Sequence, residues 1–288
     1  CVDNLLTGSR KNIVALCEHP AFSFREHDVT QPLDDDVGAI FHLASPASPV
    51  SYWTYAFETM RANTEGTWQL LELARRRHAR FLMASTSEVY GDPLVHPQTE
   101  DYWGNVNSIG ERACYDESKR FGETITMEFH RRHQVDARLV RIFNTYGPHN
   151  QINDGRMIPN FIAGALANQP LVIHGNGEQT RSICYVSDLV DGLMRAMFKP
   201  HTSGEVFNLG STDEHTVREW AQKIIELTHS TSTLVSEPKR VDDPERRRPN
   251  IDKAIRVLGW QPRVSSDEGL VRTIAWLREA MTPTPANA

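Results

Sequence analysis

Arg80-Phe81-Leu82-Met83-Ala84-Ser85-Thr86-Ser87-Glu88, answered further on by Tyr115-Asp116-Glu117-Ser118-Lys119, is the stretch whose reading decides the fold. Residues 80–84 form an apolar run of strand length that ends on three hydroxyls and an acid. Tyr115 and Lys119 stand four apart in a segment, 112–133, that reads as a long helix, so they share one face. Strand followed by helix is the repeating unit of a doubly wound parallel α/β sheet, where ligands gather beyond strand C-termini. The pair also has a chemical use. A neighbouring cation favours phenolate over phenol and brings a group of unperturbed pKa about 10 toward working pH, as a general base requires. Taken alone, Tyr-x-x-x-Lys also fits an ordinary helix with an exposed Tyr and Lys.

Working outward, residues 37–44 predict a buried strand, and Pro46, Pro49 and Ser51 predict a loop. Residues 57–77 predict a helix covering the sheet with Phe57, Met60, Thr64, Trp68 and Leu71, and their basic end suits a helix C-terminus. Residues 137–143 predict a strand ending at Asn144. Beyond it, Pro148, Asn150, Asn153, Asp154 and Gly155 read as a loop that opens a second lobe. Helices are expected at 157–168, 187–198, 216–228 and 267–281, with short strands at Leu171–His174 and 206–210. The tail from Pro283 should fray. Residues 1–147 thus read as one domain and 148–288 as mainly a second, with part of 184–210 returning to the first.

The 288 residues exceed the usual single-domain size, which favours two lobes. Against 37 Asp and Glu, 31 Lys and Arg give a formal charge of -6, which argues against a general nucleic-acid binder. No run reaches the roughly 18 apolar residues of a membrane span, and no signal-peptide pattern occurs, so a cytoplasmic protein is expected. Cys1, Cys17, Cys114 and Cys184 lack C-x-x-C spacing; they predict four reduced thiols and no metal site.

Longer motifs add a resemblance. His42-Leu43-Ala44-Ser45-Pro46-Ala47-Ser48-Pro49, Ser85 to Pro93, Glu100-Asp101-Tyr102-Trp103-Gly104, Arg141 to Pro148 and Gln179-Thr180-Arg181 together resemble the extended short-chain dehydrogenase/reductase family. Within it they are most similar to the nucleotide-sugar enzymes that decarboxylate UDP-glucuronate to UDP-xylose. The resemblance runs through nearly the whole chain and implies a Rossmann fold with a smaller C-terminal substrate-binding lobe. It implies NAD as cofactor, held by Asp3, Asn4, Thr7, Gly8, Asp28, Val29, Leu43, Ala44, Ser45, Thr145, Tyr115 and Lys119. The acid at Asp3 prefers NAD over NADP. It implies Thr86, Glu88, Tyr115, Lys119 and Arg181 as catalytic. Ser87, Asn144, Arg156, Gln179, Arg181, Tyr185 and Arg248 would hold the UDP-sugar. The pattern Ser87-Glu88, where 4,6-dehydratases usually carry Asp-Glu, favours decarboxylation over dehydration or 4-epimerisation. A non-catalytic NAD-binding sensor or scaffold is disfavoured, because such proteins usually lose the Tyr or the Lys. A homodimer is implied, paired through the helices at 57–77 and 112–133. Neither G-x-G-x-x-G nor G-x-x-G-x-x-G occurs in the chain, and Cys1-Val2-Asp3 reads as the tail of a strand. The expectation is therefore that a first strand, glycine-rich turn and helix are missing upstream.

Overall fold

Four parallel strands form the central sheet of the computed structural model, which describes residues 1–152, 154–239 and 244–282. Their order is Val206–Leu209, Ala137–Ile142, Arg80–Thr86, Ala39–His42, with Phe81 opposite Ala137 and Ile40 opposite Phe81. Arg80–Thr86 is buried on both faces after its first residue, as a central parallel strand requires. The side-chain alternation of a strand divides its cargo. Phe81 and Met83 join Leu71, Ala74, Ile125 and Phe129 under the helices Thr67–Arg77 and Ala113–His133. Leu82 faces the other way, with Val140, Leu193, Phe207 and Trp260, under the helix Val186–Phe198. Val2–Asp3 and Arg25–Glu26 make a separate parallel pair.

A second core lies around Ile162, Trp220, Ile224, Leu270 and Leu277, between the helices Met157–Leu166, Val217–Thr228 and Ser266–Met281. Val217–Thr228 starts where Thr216 and Glu219 satisfy each other's backbone N–H groups in a capping box. A small three-stranded sheet, Glu214–Thr216, Thr180–Ser182 and Arg246–Arg247, places Arg247 directly opposite Arg181. The tail from Pro283 and the loop position Asn153 lie outside the described residues. Among the described residues no helix is long and apolar enough to cross a membrane, and no group of three His, Cys, Asp or Glu could hold a metal ion.

The stripe expected to cover the sheet runs partly outward. Phe57 is 75% exposed and Trp68 51%, whereas Thr59, Asn63, Thr67, Leu70 and Leu71 are buried. The segment is not one α-helix: Ala56–Arg61 passes through a π-helical turn, Ala62–Gly66, into Thr67–Arg77. A π-turn advances the chain by an extra residue and rotates the apolar phase, which a single 3.6-residue period does not register.

Where this segment meets the long helix the fit is tight. A Cβ on Gly122 would sit 2.4 Å from Met83 Cε and 2.8 Å from the Asn63 carbonyl oxygen. Gly122→Ala should therefore cost about 1–3 kcal/mol through overpacking, despite the better helix propensity of Ala. A urea midpoint equal to that of the parent would contradict this packing.

Candidate active site

The strand Arg80–Thr86 delivers its last residues to the mouth of a cavity of about 1350 Å³, lined among others by Ser85, Thr86, Ser87, Glu88, Tyr115 and Lys119. Thr86 ends the strand and caps the 3₁₀ turn Ser87–Tyr90, its Oγ1 accepting from the Glu88 N–H at 3.2 Å. Tyr115 and Lys119 look down from the helix Ala113–His133. Lys119 Nζ donates to the Ala84 carbonyl at 2.9 Å and lies 5.8 Å from the centre of the Tyr115 ring. One turn further along, Glu123 accepts from Ser85 Oγ (2.5 Å) and from Arg141 Nε (2.9 Å) and Nη2 (2.8 Å), locking helix to strand end. Tyr115, Lys119, Thr86 and Ser87 are all buried.

Burial sets the acid-base character of this group. It pushes the Tyr115 phenol up to about 12, against a hydrogen bond from Thr86 and the charge of Arg156. It brings the Lys119 ammonium down to about 7, against the opposing charge of Glu123. The expectation that the phenol lies below its ordinary pKa is not met, because desolvation by burial is the largest cause for both groups and works against their charged forms. Lys119 is consequently one of the groups whose charge responds to pH near neutrality.

Glu88 is clamped between two arginines. Arg112 Nη2 donates to Oε2 at 2.5 Å, Arg247 Nη2 donates to the same oxygen at 2.8 Å, and Arg247 Nη1 donates to Oε1. Burial by itself would raise the carboxyl's pKa; the charges of Arg247 and Arg112 outweigh it and hold Glu88 down to about 2. Glu88 and Arg247 are 159 residues apart in sequence. Tyr52 completes this end: its ring stacks on Tyr115 (5.1 Å, 13°), and its buried hydroxyl meets no hydrogen-bond partner among the described residues.

The cavity also brings together Leu43, Ser45, Asn144, Thr145, Arg156, Gln179 and Arg181. Arg156 pairs with Asp154 at 2.6 Å, and Gln179 Nε2 donates to the His174 carbonyl at 2.7 Å. Asp3, Asn4, Thr7, Gly8 and Asp28 gather away from that lining, beside the strand Val2–Asp3. Asp3 Oδ1 accepts from Leu5 N at 2.6 Å, Asn4 Nδ2 donates to Asp28 at 3.0 Å, and a Cβ on Gly8 would sit 2.9 Å from the Asp3 carboxylate. Val29 and Ala44 pack into the core below the sheet.

Two expected contacts are not in the cavity. Tyr185 packs against Tyr146 and under Arg272, and Arg248 turns toward Glu214 at 3.7 Å. Arg247, which the sequence reading passed over, reaches Glu88. Arg112 and Tyr52 also escaped the reading. Arg112 adjoins the Tyr-x-x-x-Lys helix, but only its 8% exposure and its bond to Glu88 give it a place.

The model of the NAD dependent epimerase/dehydratase family matches residues 15–210. UDP-glucuronic acid decarboxylase 1 of Arabidopsis thaliana is 48% identical over 277 residues, covering 96% of this chain, and the chain spans 63% of that relative's length. UDP-glucuronic acid decarboxylase 6 of the same plant is 50% identical over 268 residues, 93% of this chain and 78% of the relative. The crystal structure of UDP-glucuronic acid 4-epimerase from Bacillus cereus, in complex with UDP-glucuronic acid and NAD, superposes with a TM-score of 0.85. Its identity is 25%, over 94% of this chain and 86% of that one.

The clamp makes a stability prediction. Arg247→Met leaves Glu88 with one of its two cations in a dry site, and the loss should be about 3–5 kcal/mol in urea unfolding at pH 7. Because the Glu88 pKa is depressed, the stabilisation is full above its ordinary value of 4.5 and disappears as pH falls toward 2. Parent and variant should therefore converge in acid, and a difference that persists at pH 2 would contradict the clamp.

Proposed function

The chain belongs to the NAD-dependent epimerase/dehydratase family, and from that premise we propose that it decarboxylates UDP-glucuronate to UDP-xylose through a 4-keto intermediate. The observation that carries the reading is the convergence, in one cavity, of the Thr86, Tyr115 and Lys119 group with the guanidiniums of Arg112 and Arg181. The first group handles the proton of an alcohol; the second suits a carboxylate. Residues 1–147 supply the cofactor side. Residues 148–288 mainly supply the nucleotide-sugar side, with part of 184–210 returning to the first domain.

The residues present fit NAD at both ends: Tyr115, Lys119, Leu43, Ser45 and Thr145 for the nicotinamide ribose, and Asp3, Asn4, Thr7, Gly8 and Asp28 for the adenosine. The close approach of Gly8 to Asp3 would not admit a side chain, which keeps that carboxylate open to a ribose hydroxyl. When bound there, NAD would supply a hydride acceptor for the sugar C4 and the source of the hydride returned to it. Tyr115 takes the proton of the C4 hydroxyl, with Thr86 holding the oxygen and protonated Lys119 favouring the phenolate. The uronate is then a β-keto acid. Its C5–C6 bond breaks as carbon dioxide leaves, and the electron pair passes to an enolate whose oxygen Tyr115 and Thr86 stabilise by hydrogen bonds. C5 takes up a proton, and Tyr115 returns its proton to the C4 oxygen as the ketone is reduced. Arg181 and Arg112 orient the departing carboxylate. Glu88, held on both oxygens, fixes Arg112 rather than meeting the sugar as a loose anion. Asn144, Arg156 and Gln179 hold the UDP part.

We further propose a homodimer. Its contact would use the outward stripe with Phe57 and Trp68 together with Phe121, 55% exposed on the long helix. The four unpaired cysteines support a cytoplasmic setting.

The test is to incubate the protein with UDP-glucuronate and trace NAD and to follow the product by NMR; UDP-xylose and carbon dioxide are expected. A 4-epimer or a 4-keto-6-deoxy product would move the assignment to a sister activity. Tyr115→Phe should lower kcat by roughly 10²- to 10⁴-fold with little change in substrate binding, as loss of a general acid-base group does. Arg181→Ala should cost some 2–5 kcal/mol in binding or turnover of the uronate if the carboxylate is desolvated there. Near-parent turnover in Tyr115→Phe would end the mechanism. Sedimentation showing only monomer at micromolar protein would end the dimer.

A further inference from the structure

The helix Ala113–His133 carries a third residue on the face of Tyr115 and Lys119. Glu123 follows them at the same four-residue spacing, is not among the residues that line the cavity, and keeps its side chain only 12% exposed. The three meet the last three residues of the strand Arg80–Thr86. Tyr115 faces the Thr86 side chain, Lys119 Nζ donates to the Ala84 carbonyl at 2.9 Å, and Ser85 Oγ donates to Glu123 Oε1 at 2.5 Å. Ser85 shares the face of Phe81 and Met83, since side chains alternate along a strand, so its hydroxyl belongs to the helix side of the sheet. Glu123 is itself held from the next strand. Arg141, opposite Ser85 in the ladder, donates to both carboxylate oxygens, and its Nη1 donates onward to the Tyr90 hydroxyl at 3.0 Å and the Glu100 carbonyl at 2.9 Å. The Tyr90 hydroxyl donates in turn to Asn208 Oδ1 at 2.8 Å, on the strand Val206–Leu209. Through Ser85, Arg141 and Tyr90, one carboxylate thus ties the helix to three strands of the central sheet.

We propose that Glu123 is a positioning residue for the step in which the sugar C4 gives hydride to NAD and its hydroxyl proton to Tyr115: through Ser85 it sets the strand end against the helix, so that Thr86 and Tyr115 converge on one sugar oxygen. The inference rests on the functional reading above for its substrate. It requires no contact between Glu123 and the sugar. Reacting groups tolerate little misplacement, and about 1 Å can cost roughly 10²-fold in rate. Thr86 is the residue next to Ser85, so slack at Ser85 passes directly to the hydroxyl that holds the substrate oxygen. The bond from Ser85 to a carboxylate is charge-assisted and short, which makes it a stiff link between strand and helix. The consequence is selective. Loosening the link should slow oxidation at C4 and leave the hold on the UDP part, assigned above to other residues, as it was.

The experiment uses the full chain with NAD supplied, at one fixed pH, as the parent, Ser85→Ala, Glu123→Met and the double variant. Ser85→Ala leaves the charges of Glu123 and Arg141 in place, so it loosens the link without altering the field that Lys119 feels from Glu123. Its kcat on UDP-glucuronate should fall about tenfold, with KM within about twofold of the parent. Calorimetry, a readout independent of turnover, should give Ser85→Ala the parent's affinity for UDP-xylose. With deuterium at the sugar C4, the isotope effect on kcat should rise in Ser85→Ala, because a geometric fault slows cleavage of that bond whereas a smaller folded fraction does not. Glu123→Met should lose at least as much kcat, and adding Ser85→Ala to it should cost less than about twofold more, as for two residues acting through one bond. A parent kcat, a loss confined to KM, a weakened UDP-xylose affinity or an unchanged isotope effect in Ser85→Ala overturns this inference alone. So does a further loss of about tenfold from Ser85→Ala in the Glu123→Met background. Should Glu123→Met fail to fold, the kcat and the isotope effect of Ser85→Ala decide. If the parent itself leaves UDP-glucuronate unconverted, the functional reading fails and takes this inference with it.

Discussion

The bond between the Glu88 carboxylate and the guanidiniums of Arg112 and Arg247 ties three parts of the molecule into one site. Glu88 comes from the turn that follows the central strand, Arg112 from the start of the helix that carries Tyr115, and Arg247 from the small three-stranded sheet. A buried charge without a partner is strongly unfavourable, so each of the three is stable only where the other two hold it. The clamp thus joins the central sheet, the long helix and the small three-stranded sheet. Glu123 does the same between helix and strand, where its bonds to Ser85 and Arg141 fix the helix relative to the strand that bears Thr86.

Burial then decides what these groups do. Away from water the phenol of Tyr115 rises, the ammonium of Lys119 falls into the neutral range, and Asp116 favours its neutral form. Only Glu88, with two cations against it, stays firmly ionised. These four groups therefore differ in charge state because their surroundings differ, and a site that moves protons depends on such separation.

Two features outside the clamp bear on how the long helical segment packs on the sheet. The π-turn at Ala62–Gly66 carries the helical segment from one phase to the next, which lets Leu70 and Leu71 meet the sheet while Phe57 and Trp68 stay outside. Gly122 supports the same arrangement from beneath, since only a residue without a Cβ lets the long helix approach the Asn63 carbonyl this closely.

The sequence by itself determined the alternation of strand and helix, the position of the hydroxyls at a strand end, and the face shared by Tyr115 and Lys119. All of these follow from local periodicity and from motifs in which neighbours in the chain are neighbours in space. The tertiary structure decided the rest. It brought Arg247, on the strand paired with Thr180–Ser182, onto Glu88, a partner 159 residues away that no local pattern marks. It turned part of the Phe57 stripe outward, because a π-turn shifts the phase without any mark in composition. It also set the protonation of Tyr115, Lys119 and Asp116, because desolvation depends on what packs around a group and not on its neighbours in the chain.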